Sequence, residues 1–152
     1  MIVPPDDELR RLYGESRTIA VVGCSGQWPK PSHVVPAYMQ AEGYRIIPVN
    51  PYEDELLGER CVASLADVAE PVDIVNVFRP APEAPGIARA AVELGARCLW
   101  IQNGIVSDEA ASIAAEAGLT VAMDCCIGIV HGQVGLGIGV TAWKAAREAA
   151  WQ

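Results

Sequence analysis

A doubly wound, Rossmann-like α/β fold, with a parallel sheet of about five strands and helices on both faces, is the architecture this sequence predicts. Three observations lead there. Short β-branched runs alternate with helical patterns along the chain, the runs are continuously apolar as in strands buried on both faces, and glycine closes most of the helical stretches. With 152 residues, 51% of them hydrophobic and 20% charged, the chain suits a single domain over residues 1–152 and neither disorder nor collagen-like repetition.

The elements follow in order. A helix over residues 6–13 is capped by Asp6 and stopped by Gly14, and Thr18–Val22 forms the first strand, ending at Gly23. A loop with Gly26, Pro29 and Pro31 leads to a helix opened by Ser32 or His33 and closed by Gly43, in which Pro36 is compatible only within the first turn. Arg45–Val49 is the second strand. After Asn50 and Pro51 a polar loop reaches Ser64-Leu-Ala-Asp67, which has capping-box spacing for a short helix. The third strand covers residues 73–78. Because Arg79-Pro-Ala-Pro82 is too rich in proline for a helix interior, the next helix spans residues 83–94 and ends at Gly95. Residues 98–102 form the fourth strand, Asn103-Gly104 turns, Ser107 or Asp108 caps a helix that stops before Gly118, and Thr120–Met123 is the fifth strand. Glycines at 128, 132, 135, 137 and 139 then predict a loop or irregular strand before a short helix over residues 141–150.

Strands joined through helices make right-handed crossovers, so the sheet is parallel, and its ligands belong beyond the carboxyl ends of the strands where the strand order reverses. The residues to interrogate are 23–30, Asn50 and Pro51, Arg79 and Pro80, 102–105 and 124–128. Gly23-Cys-Ser-Gly26 offers backbone N–H groups beside a helix N-terminus, an arrangement suited to a diphosphate. It is not a dinucleotide fingerprint. That motif needs glycine at 23, 25 and 28, whereas positions 25 and 28 are Ser and Trp, and no acidic residue ends the second strand to accept bonds from a ribose diol.

Eleven Lys and Arg against nineteen Asp and Glu give a net charge of −8, which disfavours nucleic acid and anionic lipid as partners. An acidic ligand therefore needs locally placed cations, and Lys30 and Arg79 are the two in the carboxyl-end loops. No apolar run approaches the roughly 20 residues of a membrane helix. Met1 leads into Pro4, Pro5, Asp6 and Asp7 rather than an export signal, and five cysteines without a C-x-x-C pair fit a reducing, cytoplasmic setting. His33 and His131 are the only histidines and join no Ser-His-Asp or H-E-x-x-H pattern; Cys125 and Cys126, adjacent on extended chain, point to opposite faces and share no metal. No catalytic or metal site is predicted.

Several segments occur in order with familiar spacing: Ile19-Ala-Val-Val-Gly-Cys-Ser25, Pro31-Ser32, Gly43-Tyr-Arg-Ile-Ile-Pro-Val-Asn-Pro51, Pro71-Val-Asp-Ile-Val-Asn-Val-Phe-Arg79, Trp100-Ile-Gln-Asn-Gly-Ile105 and Met123-Asp-Cys-Cys126. Together they resemble the small stand-alone CoA-binding proteins, which are similar to the N-terminal CoA-binding domain of the succinyl-CoA synthetase alpha subunit. The resemblance implies that Gly23, Ser25 and Gly26 hold the CoA diphosphate with Ser32 at the start of the neighbouring helix. It further implies that Asn50 and Pro51 border the pocket and that Phe78, Arg79 and Pro80 flank the adenosine. Asn50 serves equally well as a turn residue before proline. Lys30 and Gln102, from the carboxyl-end loops, complete the set of candidates together with Cys24, which is either a small apolar filler in a tight turn or, through its place at the anion loop, a stabilised thiolate for which a disulfide with CoA is conceivable. Two features depart from the family. Cys125 stands where Asp-Arg-Cys is common, which removes a positive charge near the pocket, and residues 127–152 match no pattern of the family.

The expectation is a protein that binds CoA or acyl-CoA without catalysis of its own. An enzyme or redox sensor using a nicotinamide nucleotide, and an interaction module with a vestigial nucleotide site, remain the alternatives. The sequence leaves a protein partner or homo-oligomer open.

Overall fold

In a computed structural model describing residues 1–152, helix α1 (Asp6–Glu15) precedes β1 (Thr18–Val22), α2 (Pro31–Ala41) and β2 (Arg45–Val49). A hairpin of β3 (Glu55–Leu56) and β4 (Glu59–Arg60) follows, then β5 (Ile74–Val77), α3 (Ala84–Glu93), β6 (Cys98–Ile101), α4 (Asp108–Glu116) and β7 (Thr120–Met123). Two more helices, α5 (Ile127–Gln133) and α6 (Val140–Ala150), end the chain. The five long strands pair in parallel in the order β2-β1-β5-β6-β7. From β1 the chain moves outward to β2 and then returns across to β5, so the order reverses between β1 and β5, the point at which a doubly wound sheet opens a crevice.

Strand alternation divides the core into two layers. Ile19, Val21, Ile46, Ile74, Cys98 and Trp100 face α1, α2, α5 and α6, while Ala20, Ile47, Val75, Val77, Leu99 and Ile101 face α3 and α4. Both faces are covered, which is why the strands read as continuous apolar runs. Trp100 is fully buried beside Tyr13 and donates its indole N–H to Cys125 O at 2.9 Å. The sheet edges are closed locally. Ile2 and Met123 exchange two backbone hydrogen bonds of 2.9 Å along β7, and Val62 donates to Pro48 O (3.0 Å) and accepts from Asn50 N (2.9 Å) along β2.

Several sequence-based boundaries shift for identifiable reasons. Helix α1 runs through Gly14, and Asp6 is its first residue rather than its cap. Ser64 bonds the Asp67 carboxylate instead of a backbone N–H, so residues 65–67 make only a 3-10 turn. The polar loop after Pro51 contains the β3–β4 hairpin, whose turn residues Leu57 and Gly58 both have positive φ. Pro36 lies inside α2, beyond its first turn.

The glycine-rich segment is the largest difference: it contains α5, and its glycines permit close packing. A Cβ on Gly132 would lie 2.6 Å from Gly139 Cα, so α5 touches the chain entering α6 backbone to backbone. Tyr38 of α2 binds this corner. Its hydroxyl accepts from Gly139 N (3.0 Å) and pairs with His131 Nδ1 (2.9 Å). Gly132→Ala is therefore expected to destabilise the protein by about 1–3 kcal/mol through overpacking, measured as a lowered midpoint in denaturant; an unchanged midpoint would show that the contact yields freely.

Burial holds the His131 imidazole below its usual pKa, against a smaller opposing pull from Glu42. The unfolded chain takes up a proton around pH 6.5 that the native ring refuses, so the stabilising contribution is complete above that pH and declines as the pH falls. Between pH 7 and pH 5 the protein should lose more stability than His131→Gln does. Parallel losses in the two proteins would remove His131 from the acid response.

Candidate functional site

The chain leaves β1 at Gly23, where two constraints demand glycine. Its φ is +90°, and a Cβ there would lie 2.7 Å from Phe78 O and 2.9 Å from Arg79 Cδ, at the exit of β5. The neighbour that excludes a side chain is thus the protein's own backbone. Further along, Ser25 N donates to Ser32 O at 3.0 Å. In an uninterrupted helix that carbonyl would accept from residue 36, but residue 36 is proline and has no N–H to give.

More bonds hold the same loop. His33 Nδ1 donates to Ser25 O (2.7 Å), Asn50 Nδ2 donates to Cys24 O (2.9 Å), and Asn50 Oδ1 accepts from Tyr52 N (2.7 Å). Asn50 is therefore both the turn residue and a strut between the exits of β1 and β2. The N–H groups of Gly23 and Gln27 are also occupied, by Val49 O and Ser25 Oγ. Those of Cys24, Gly26 and Ser32 have no acceptor within the protein. Of the three residues predicted to hold a diphosphate, only Gly26 keeps an unpaired amide.

This loop, the exit of β2 and the exit of β5 enclose an open cleft of about 1140 Å³. Gly23, Cys24, Ser25, Gly26, Lys30 and Ser32 line one side; Asn50, Pro51, Phe78 and Arg79 line others. Pro80 is outside the lining. The sequence reading missed Tyr52 and Glu53 beyond β2, residues 63–66, and Pro82, Glu83, Gly86 and Ile87 at the start of α3. They belong to a loop without regular spacing and a helix end whose small residues advertise no chemistry.

The cleft is not strongly cationic. Arg79 pairs with Glu83 at 2.7 Å, both side chains about half exposed, and Glu53 adds a second carboxylate, leaving Lys30 as the lining cation without an ion pair. An exposed pair of this kind contributes little stability, so a stronger anion can compete for the guanidinium.

A second cavity, of about 480 Å³, lies over the ends of β5, β6 and β7 and shares Ser32 and Phe78 with the cleft. Gln102 belongs here. It is almost fully buried, and its Oε1 accepts from Asn76 Nδ2 (3.1 Å) and Ile127 N (3.0 Å), binding the sheet to the first turn of α5. No group of three or more His, Cys, Asp or Glu side chains is placed to hold a metal, and no helix is long and apolar enough to cross a membrane.

The expected activation of Cys24 is reversed. Its side chain is 1% exposed, and burial pushes the thiol up to about 12, outweighing the amide groups near it. Cys125 is likewise pushed up by burial to about 11. Under native conditions at pH 7 a thiol probe should label half-buried Cys61 well before Cys24, with Cys24 catching up on denaturation. Site-resolved mass spectrometry checks this, and faster labelling of Cys24 would show that the loop opens.

Comparison with known proteins places this geometry among relatives. The CoA binding domain family matches residues 17–132. Uncharacterized protein YneT of Bacillus subtilis is 44% identical over 128 residues, covering 84% of this chain and 95% of that protein. An ADP-forming acetate–CoA ligase II of Archaeoglobus fulgidus is 28% identical over 104 residues, spanning 67% of this chain but only 15% of the ligase. Among solved structures, cell-free ID.343 from Thermus thermophilus superposes with a TM-score of 0.82 at 39% identity, covering 86% of this chain and 99% of that one. With its five-stranded parallel sheet and its match over residues 17–132, the chain belongs to the CoA binding domain family.

Proposed function

We propose that the chain is a binding module for CoA or acyl-CoA, with the nucleotide end in the cleft at the reversal of strand order and no catalysis of its own. The observation that carries this reading is the prearranged anion site: unpaired N–H groups at Cys24, Gly26 and Ser32 beside Lys30, in a loop already held by Asn50, His33 and the Ser25–Ser32 bond. A diphosphate accepts from such donors without requiring the backbone to reorganise. Asn50 and Pro51 form the floor near the ribose, and Phe78 and Arg79 flank the adenosine. No acidic residue stands at the end of β2 itself, where Val49 runs into Asn50 and Pro51, and this favours CoA over a nicotinamide nucleotide. The ligase relative supports the reading as well, since an acetate–CoA ligase is named for its use of CoA.

Calorimetry should show CoA binding at least 100-fold more tightly than NAD or NADH. Comparable affinities would return the nicotinamide reading, and no binding of either would favour the interaction module.

The Arg79–Glu83 pair gives a second expectation. Arg79→Ala should weaken CoA and flatten the salt dependence, while Glu83→Gln, by freeing the guanidinium, should tighten binding about two- to fivefold, the scale of an exposed ion pair. If neither substitution changes the affinity or its salt slope, Arg79 lies outside the ligand's reach.

A further inference from the structure

CoA is long, with a charged nucleotide at one end and a thiol at the end of an uncharged pantetheine arm. The unpaired N–H groups and Lys30 of the cleft suit the charged end. Adjoining it, with Ser32 and Phe78 common to both linings, is the second cavity, on the other side of the strand-order reversal. Its character is different. Pro29, Val34, Val35, Ile105, Ile129 and Val140 supply apolar walls, and the buried Gln102 has its oxygen already engaged by Asn76 and Ile127.

The charge of its one cation is also matched, since Lys144 Nζ is held by Glu148 at 2.9 Å within α6. A carboxylate at the end of an acyl group must displace Glu148 from Lys144 and give up water beside apolar walls, whereas a neutral chain gains apolar surface without that exchange. Val140, Thr141 and Lys144 come from α6, which lies beyond the residues matched by the family, and α6 is seated by the backbone contact between Gly132 and Gly139. This wall belongs to the chain's own C-terminal extension.

From this adjacency and lining we infer that the second cavity is an acyl chamber, which receives the short, uncharged acyl group of a CoA thioester whose nucleotide occupies the cleft. The inference rests on the CoA-binding reading. Burial of a methylene strengthens binding about fourfold, the equivalent of roughly 0.8 kcal/mol, so butyryl-CoA should bind at least tenfold more tightly than CoA, and succinyl-CoA should show no such gain.

The test uses calorimetry on the full chain with CoA, butyryl-CoA, succinyl-CoA and adenosine 3′,5′-diphosphate, the last as a probe of the nucleotide site alone. Thr141→Trp fills the chamber from an exposed position, so the fold has no buried side chain to accommodate. It should abolish the butyryl advantage and leave adenosine 3′,5′-diphosphate unchanged; Ile129→Trp, from α5 and also exposed, provides an independent variant with the same expected result. Nucleotide binding without discrimination between CoA and butyryl-CoA overturns the chamber alone. So does a preference for succinyl-CoA, or a butyryl advantage that survives both substitutions. If neither CoA nor adenosine 3′,5′-diphosphate binds, the nucleotide reading fails and the chamber fails with it.

Discussion

One missing amide hydrogen organises the ligand-facing end of this protein. Pro36 cannot donate to Ser32 O, and that carbonyl instead accepts from Ser25, six residues before the helix begins. A proline that ordinarily disrupts a helix here converts a helical carbonyl into an anchor for the loop after β1. Once Ser25 is fixed, His33 and Asn50 lock its carbonyl and that of Cys24, and Gly23 is held against the exit of β5. The cleft's shape is consequently a property of the protein before any ligand arrives, which reduces the ordering cost of binding.

The sheet and most of its helices were legible because they obey local rules. Continuous apolar runs such as Thr18–Val22 and Arg45–Val49 have few alternatives, and the helices between them end at glycines. What escaped depends on contacts distant in sequence. Pro36 could not be placed correctly because its tolerance rests on Ser25, eleven residues away. Helix α5 was hidden by its own glycines, which read as a loop until Gly139 is seen lying against Gly132. The loop after β1 was singled out by residue type, yet which of its N–H groups are unpaired is decided by Val49 and Ser32. Cys24 shows the same boundary: proximity to a helix start suggested activation, but burial, which no short motif reports, determines its state.

The C-terminal extension changes what the domain encloses. The network of Asn76, Gln102 and Ile127 carries the order of the sheet into α5, and the Tyr38 hydroxyl passes it on to the chain entering α6. Residues outside the family match thereby become a wall of the cavity beside the cleft. The loop after β1 lies within the span of the family match, while one wall of the neighbouring cavity comes from residues beyond it.

The single-residue bridges at the two margins of the sheet have a consequence for assembly. An open parallel sheet offers two rows of backbone donors and acceptors on which another copy could continue the ladder. Here Ile2 occupies the outer side of β7, Val62 occupies that of β2, and Pro48 withholds a donor from the latter margin. Strand addition is obstructed at one point on each margin by the chain itself. Any self-association is thereby directed to side chains on the helical layers, where size and charge can be selective in a way that backbone pairing cannot.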